Sequence, residues 1–503
     1  MLFNSYEFLL FFLPAALGGW FFLGRWMGLR AAQIWLVTAS LFYYAWWNPW
    51  YLILIATLTV FNFGWGRMLA RLAASGRSRG APLALGLAVN LSILGYYKYA
   101  NFFLDNLHAL IGTDWALGHI ILPLGISFFT FQKIGYLVDC SRGLAPQGDF
   151  LSFALFVVFF PQLIAGPIVH HGEVIPQFSR PSVIQPRWEN LALGLTMLTF
   201  GLAKKVLLAD PLAARISEAF TATAVGQHLP IGNAWYAILA YALQIYFDFS
   251  GYSDMAIGLA RLFNIILPQN FNSPYQSANL VEFWRRWHMT LSRFLRDYLY
   301  FPLGGNRHGR LRQRLNLMAT MLLGGLWHGA NWTFVVWGLL HGLYLVLNHG
   351  WLETKARFTW LARVPAPLRR WTAQGLTLSA VVLAWVLFRA VNFGSAITLF
   401  ETLVGHGLPQ MADGLPVIVA VKPERWLWLG LLYLGVLFAP NSQSVCSRFQ
   451  PVLGLTEPSP HPGLQGGRWL WRPNPAWAVY VAIVFAACFL SLSTVSEFLY
   501  YQF

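Results

Sequence analysis

The sequence predicts an all-α polytopic membrane protein, and three observations carry that reading. The 503 residues are 57% hydrophobic and only 11% charged, where a soluble domain is roughly 25% charged. So little charge cannot coat a water-facing surface of this size, which excludes a soluble enzyme. The chain is also divided into charge-free runs of membrane length. Finally, its basic residues cluster in the segments between those runs, as cytoplasmic loops require. The net charge of +15, from 34 Lys and Arg against 19 Asp and Glu, therefore reads as topology rather than as nucleic-acid binding.

A spanning helix takes about 20 apolar residues. Residues 8–24 are the first such run. Residues 31–66 are long enough for a hairpin, with the aromatic turn Trp46-Trp47-Asn48-Pro49-Trp50 at its centre as an interfacial anchor. Residues 81–97, 150–172 and 219–247 follow, with further helices at 191–209 and 233–247. Residues 315–352 are too long for one simple crossing, and 371–388, 426–447 and 473–496 complete the series. The sum is roughly ten to twelve spans. The Pro- and Gly-rich residues 450–467 read as a loop. With no internal repeat, residues 1–503 form one integral-membrane domain, closed by a last helix and aromatic tail at 473–503. No cleavable signal peptide is evident: no basic stretch opens the chain, and Glu7 precedes the first apolar run. Cys140, Cys446 and Cys488 are scattered and match no metal or redox spacing.

Orientation follows from the basic loops. Arg25 and Arg30, then Arg67, Arg71, Arg77 and Arg79, mark two cytoplasmic loops. Segments 285–314, 355–370 and 448–472 are basic as well. Both termini then lie on the outer face.

Polar groups inside a membrane suggest function by default. Asp248 and Asp254 stand six residues apart in Tyr246-Phe-Asp-Phe-Ser-Gly-Tyr-Ser-Asp254. They read either as the wall of a polar cavity or as a helix break, with Asp248 capping the next helix and Asp254 paired to an arginine. Glu282-Phe-Trp-Arg-Arg-Trp-His288 opens a stretch that continues through Arg293, Arg296 and Arg307. It reads as an amphipathic surface helix or as a basic mouth for an anionic substrate such as coenzyme A, whose phosphates suit arginine forks. Arg285, Arg286, Trp287, Arg293 and Arg307 are its donor-binding candidates. His328 lies about 21 Å of helix beyond Arg314, deep in the membrane, among glycines and close to Asn331. A neutral buried histidine there suits general-base catalysis. The other histidines, including His170, His171 and His341, read as peripheral. The spacing of His328 and His341 matches no zinc motif, so neither a metal nor a bound cofactor is expected.

These motifs carry a resemblance. Residues 123–128 (PLGISF), 160–168 (FPQLIAGPI), 246–258, 282–288, 297–307 (DYLYFPLGGNR) and 324–332 (GGLWHGANW) occur in order. Together with the opening Met1-Leu-Phe-Asn-Ser5, they resemble the membrane-bound O-acyltransferase (MBOAT) family, in the branch of bacterial alginate O-acetyltransferase membrane subunits. The resemblance implies a ring of tilted, re-entrant and interfacial helices around a central tunnel in the bacterial inner membrane. It implies His328 at the catalytic position and His288 at the second, more variable one. It implies acetyl-CoA as cytoplasmic donor, a polysaccharide acceptor, and a periplasmic SGNH-type acetyltransferase or acetyl-carrier partner. Asn331 or a backbone N–H near Gly329 would hold the oxyanion. The tail pattern Phe498-x-Tyr500-x-x-Phe503 is similar to the acyl-carrying motif of the small partner in teichoic-acid D-alanylation, which implies a transient acetyl on Tyr500. Alginate is the expected polymer, with cellulose and peptidoglycan as alternatives. A transporter or flippase is the reading from a different class, but it would show repeat symmetry with paired broken helices, and none is visible.

Overall fold

A computed structural model describes residues 1–112, 115, 117–118, 120–145, 148–358, 363–407, 420–455, 470–492 and 499. Among them the chain is helical, with no sheet beyond one bridge between Pro268 and Leu453. A π-turn at Glu7–Phe12 leads into α1 (Leu13–Met27). Gly28, at φ 83°, adopts a conformation open to glycine and turns the chain into α2 (Leu29–Ala45). α2 and α3 (Tyr51–Ala74) make the expected hairpin. α4 (Gly80–Ile111) and α5 (Ile126–Arg142) complete the first layer.

The run 150–172 is not one span. α6 (Phe150–Val158) stops at Phe159, and α7 (Phe160–Leu163) restarts with Pro161 in its first turn, where a missing N–H is harmless. The Phe160 N–H is satisfied by Ser40 Oγ at 3.2 Å. α8 (His171–Phe178) follows. α9 (Trp188–Leu202), a π-helical stretch (Ala203–Ala209) and α10 (Asp210–Ala224) then run on as one rod. The run 219–247 is divided, because Pro230 starts a new helix, α11 (Ile231–Leu262).

α11 is the post around which the rest is arranged, 32 residues long and buried through nearly all of its length. It runs unbroken through Asp248 and Asp254 and corrects the reading of a helix break there. The glycine between them serves close approach instead. Gly251 and Gly258 meet Gly201 and Gly194 of α9, where an added Cβ on Gly201 would stand 2.5 Å from the Gly251 carbonyl. Such small-residue seams let membrane helices touch by backbone. Both α11 carboxylates are ion-paired. Asp248 bonds Lys205 at 2.7 Å, and Asp254 bonds Lys204 at 2.6 Å together with Ser442 and Gln443. The partners are neighbouring lysines, not an arginine, and Asp248 caps no helix.

The expected amphipathic helix at 285–314 is likewise two pieces. α12 (Leu280–Arg286) and α13 (Met289–Leu295) meet at a kink, and a π-turn at Arg296–Tyr300 follows. α14 (Gly309–His328) and α15 (Trp332–Thr354) form the second predicted hairpin. α16 (Ala366–Arg389), α17 (Phe393–Leu403), α18 (Pro423–Phe438), α19 (Ser442–Val445) and α20 (Pro475–Leu490) complete the described helices. Much of residues 450–467, the expected loop, lies outside the described residues.

By length and composition alone, five helical stretches among the described residues are long and apolar enough to cross a membrane, α1 with its π-turn, α3, α4, the α9–α10 rod and α16. The expected ten to twelve exceeds that number for a physical reason. α2, α18 and α20 have 17, 16 and 16 residues, while α11 carries two carboxylates and α14 opens on arginines. The protein is a multi-pass membrane protein.

Candidate active site

His328 is the last residue of α14. The helix stops because Gly329 turns extended and Asn331 caps α15, its Oδ1 accepting the Thr333 N–H at 3.0 Å. A Cβ on Gly329 would overlap the Phe334 ring, and one on Gly325 would stand 2.3 Å from the Phe334 carbonyl. The glycines thus set how tightly the hairpin closes behind the histidine. The His328 ring is buried and sits edge-on to Trp327, Trp337 and Phe388, with centroids 4.9, 5.2 and 5.2 Å away. Two residues of α4 seize the open end of α14. Lys98 Nζ donates to the Trp327 and His328 carbonyls at 2.5 and 3.0 Å, and Tyr99 Oη donates to the Leu326 carbonyl at 2.8 Å. A cation on the last carbonyls of a helix complements its dipole. Sequence reading passed over Lys98, although a lone lysine following the charge-free run 81–97 was a signal.

His288 occupies the α12–α13 kink in the left-handed region, at φ 43°, a conformation that costs a non-glycine residue roughly 1–2 kcal/mol. Asn270 holds it there. Asn270 Oδ1 accepts from His288 Nδ1 at 3.1 Å and from Thr290 Oγ1 at 2.9 Å, and its Nδ2 donates to Ser253 at 3.0 Å. The proton therefore sits on Nδ1, a tautomer assigned from this network, and Nε2 carries the lone pair. The two histidines flank Trp327, whose ring lies 6.2 Å from His288.

One cavity of about 560 Å³ reaches His328; it passes Met289 and Thr290, while His288 itself is not among its lining residues. It follows a single face of α14, past Gln313, Leu317, Thr320 and Gly324 to His328, about 22 Å at the α-helical rise. Its mouth carries Arg285, Arg293 and Arg296. Arg293 is held by a two-point pair with Glu173 at 2.5 and 2.9 Å. Of the donor-binding candidates, Arg285 and Arg293 line the cavity and Arg296 joins them. The others do not. Trp287 packs in the core against Phe283, Tyr275 and Trp385. Arg286 pairs with Glu282 at 2.9 Å, and Arg307 is exposed outside the cavity.

Asn331 uses one Nδ2 hydrogen on the Val391 carbonyl at 2.8 Å while its Oδ1 caps α15, and it lines no part of this cavity. Asp248 and Asp254 are spent on their lysines and line no part of this cavity. Tyr500 lies outside the described residues. Its neighbour Leu499 is described and buried, with its backbone N–H donating to Asp248 at 3.1 Å.

Three histidines read as peripheral are not. His341 is fully buried between Trp284 and Trp337. His170, His171 and Tyr298 converge on Asp139 Oδ2 at 2.9, 3.0 and 2.5 Å, and the Asp139–His170–His171 group has metal-compatible spacing. However, His170 Nδ1 accepts the Gly172 N–H at 3.2 Å, which leaves the ring proton on Nε2. That nitrogen is then a donor to the carboxylate rather than a ligand, and the cluster reads as a hydrogen-bonded tie between α5, α8 and Tyr298.

Residues 141–366 match the membrane-bound O-acyltransferase family. The chain is 37% identical to the probable alginate O-acetylase of Azotobacter vinelandii over 100% of both chains. It is 43% identical to that of Pseudomonas aeruginosa over 82% of this chain and 76% of the relative. It is also 42% identical to the peptidoglycan O-acetyltransferase of Helicobacter pylori over 80% of each.

Proposed function

The chain belongs to the membrane-bound O-acyltransferase family and is an O-acyltransferase, and from that premise we propose that it moves acetyl from acetyl-CoA towards a polysaccharide across the bacterial inner membrane. The observation that carries this reading is the cavity joining Arg285, Arg293 and Arg296 to His328. Its basic mouth suits the donor's phosphates, and its length suits an extended thioester arm. The distribution of basic loops supports a cytoplasmic mouth and periplasmic termini.

In the reaction, a hydroxyl loses its proton to His328 and its oxygen attacks the thioester carbonyl. The C–O bond forms, the C–S bond breaks, and the proton passes from His328 to the departing thiolate. The Gly329 N–H, beside His328, makes no hydrogen bond among the described residues and serves as the oxyanion donor in place of Asn331. A preorganised donor of this kind is worth about 10²–10³ in rate. His288 positions the donor or relays the proton. The first acceptor is the Tyr500 hydroxyl, and the burial of Leu499 in the molecule supports that assignment. A periplasmic SGNH-type acetyltransferase then delivers acetyl to the polymer. Alginate is the leading acceptor, since relatives named for it match across the whole chain; peptidoglycan is the acceptor in the name of an equally similar relative.

Labelled acetyl-CoA and purified protein test the chemistry. Thioester cleavage or self-labelling that disappears in His328→Ala supports it, whereas movement of the label without bond cleavage supports a transporter. Tyr500→Phe removes only the hydroxyl and is expected to stop acetyl export with assembly intact. Normal acetylation by that variant would mean direct transfer to the partner.

A further inference from the structure

Beyond the Pro268–Leu453 bridge lies a second, separate cavity of about 350 Å³. The two cavities share their dividing walls. Glu173, Pro268 and Leu453 face the first, while Gln177, Ile266 and Gln450 face the second. Four arginines, Arg180, Arg187, Arg261 and Arg448, line the second cavity against one carboxylate, Glu189.

The walls are fixed before any ligand arrives. Asn264, left-handed at φ 61°, donates to the Val183 and Gln185 carbonyls at 2.8 Å each and accepts from Asn190 at 2.8 Å. Gln177 exchanges two hydrogen bonds with the Ile266 backbone, at 2.9 and 2.8 Å. Arg261 is only 6% exposed, and its Nη2 holds the Phe449 and Gln450 carbonyls at 2.8 and 2.6 Å. Its Nε–H is buried with no partner. A buried donor without an acceptor is rare and asks for an explanation. Arg180, Arg187 and Arg448 are exposed and form no ion pair among the described residues.

We propose that this cavity is a binding site for a phosphate-bearing anion. Guanidinium forks match phosphate oxygens in geometry and charge, and this cavity gathers four arginines against one carboxylate. The phosphate has two possible sources, a soluble phosphorylated molecule or the headgroup of an anionic phospholipid, and both use the same arginines. The site does not depend on the identity of the acyl donor.

The test uses the full chain in nanodiscs. In phosphatidylcholine discs, inorganic pyrophosphate is titrated against the wild type, Arg187→Ala/Arg448→Ala and, as controls, Arg285→Ala and Arg307→Ala. Both substituted arginines are exposed, so folding is preserved and is verified by an unchanged melting temperature. Binding weakened by about tenfold or more in the double variant and unaltered by Arg307→Ala supports the site with a soluble anion as its ligand; any part removed by Arg285→Ala belongs to the first cavity. If phosphatidylglycerol discs abolish pyrophosphate binding, and native mass spectrometry finds this lipid retained by the wild type but lost from the double variant, the headgroup is the source. Absence of both pyrophosphate binding and lipid retention overturns the proposal. So does binding that the double variant leaves intact or that falls only with Arg285→Ala.

Discussion

Lys98 and His328 are tied through the backbone: the lysine ammonium donates to the His328 carbonyl at 3.0 Å and to the preceding carbonyl at 2.5 Å. The contact touches no part of the imidazole, yet it fixes where α14 ends and so where the ring stands. Lys98→Met is therefore expected to lower acetyl transfer roughly 10- to 100-fold, the range for losing a charge-assisted hydrogen bond. Lys98→Arg, which keeps the cation, should recover part of the loss. The check is turnover of labelled acetyl-CoA, with thermal melting to confirm folding.

His328→Ala should cost at least about 10²–10⁴-fold, the range for a general base. His288→Ala should cost the same or less. Asn270 holds His288 in place, so Asn270→Ala should reduce turnover, and if that is its whole role the double variant Asn270→Ala/His288→Ala should be no slower than His288→Ala alone. A double-mutant cycle reads this directly, and additive losses would give Asn270 a separate task.

Reversing Arg285 to Glu should weaken acetyl-CoA binding about tenfold at low ionic strength and flatten its salt dependence, because the cavity mouth is open to screening. The same reversal at Arg307, outside the cavity, should leave both unchanged. Equilibrium binding across a salt series checks the pair.

Asp254→Ala leaves the Lys204 ammonium without its carboxylate. Breaking such a pair costs roughly 3–5 kcal/mol, so the melting temperature should fall markedly while turnover per folded molecule stays near wild type. Loss of turnover without loss of stability would return Asp254 to the site.

Gly325→Ala should separate α14 from α15, since the new methyl would stand 2.3 Å from the Phe334 carbonyl. The cost in stability is about 1–3 kcal/mol for overpacking. Turnover should fall further than stability, because the displaced helix carries His328.

Signals local to the chain survived contact with the structure. The first hairpin followed from run length and the aromatic turn at Trp46–Trp50, and the division of 315–352 followed from run length alone. The basic mouth and the position of His328 followed from where charge stops along α14. What did not follow were relations between distant segments. Asp248 and Asp254 suggest a helix break, and only Gly201 opposite shows that the glycine between them serves packing. The tie of the Asn331 amide to Val391, far along the chain, was not legible either. Trp287 sits beside the right arginines but faces the core, because the helix ends at Arg286 and the chain turns. Lys98 announces itself only as a charge in the wrong solvent, and its purpose lies in the end of another helix.

The π-helical stretch Ala203–Ala209 has a consequence for chain length. A π-turn accommodates one residue more than an α-turn, and this one carries Lys204 and Lys205 between the glycine seam of α9 and the buried face of α10. Deleting a single residue there would rotate one half of the rod against the other by roughly 100°. Gly194 and Gly201 would then keep their place against α11 only if Leu212, Ile216 and Phe220 of α10 turned out of theirs. Counting errors of one residue are tolerated in loops, but in this segment the number of residues is itself constrained, whatever their identity.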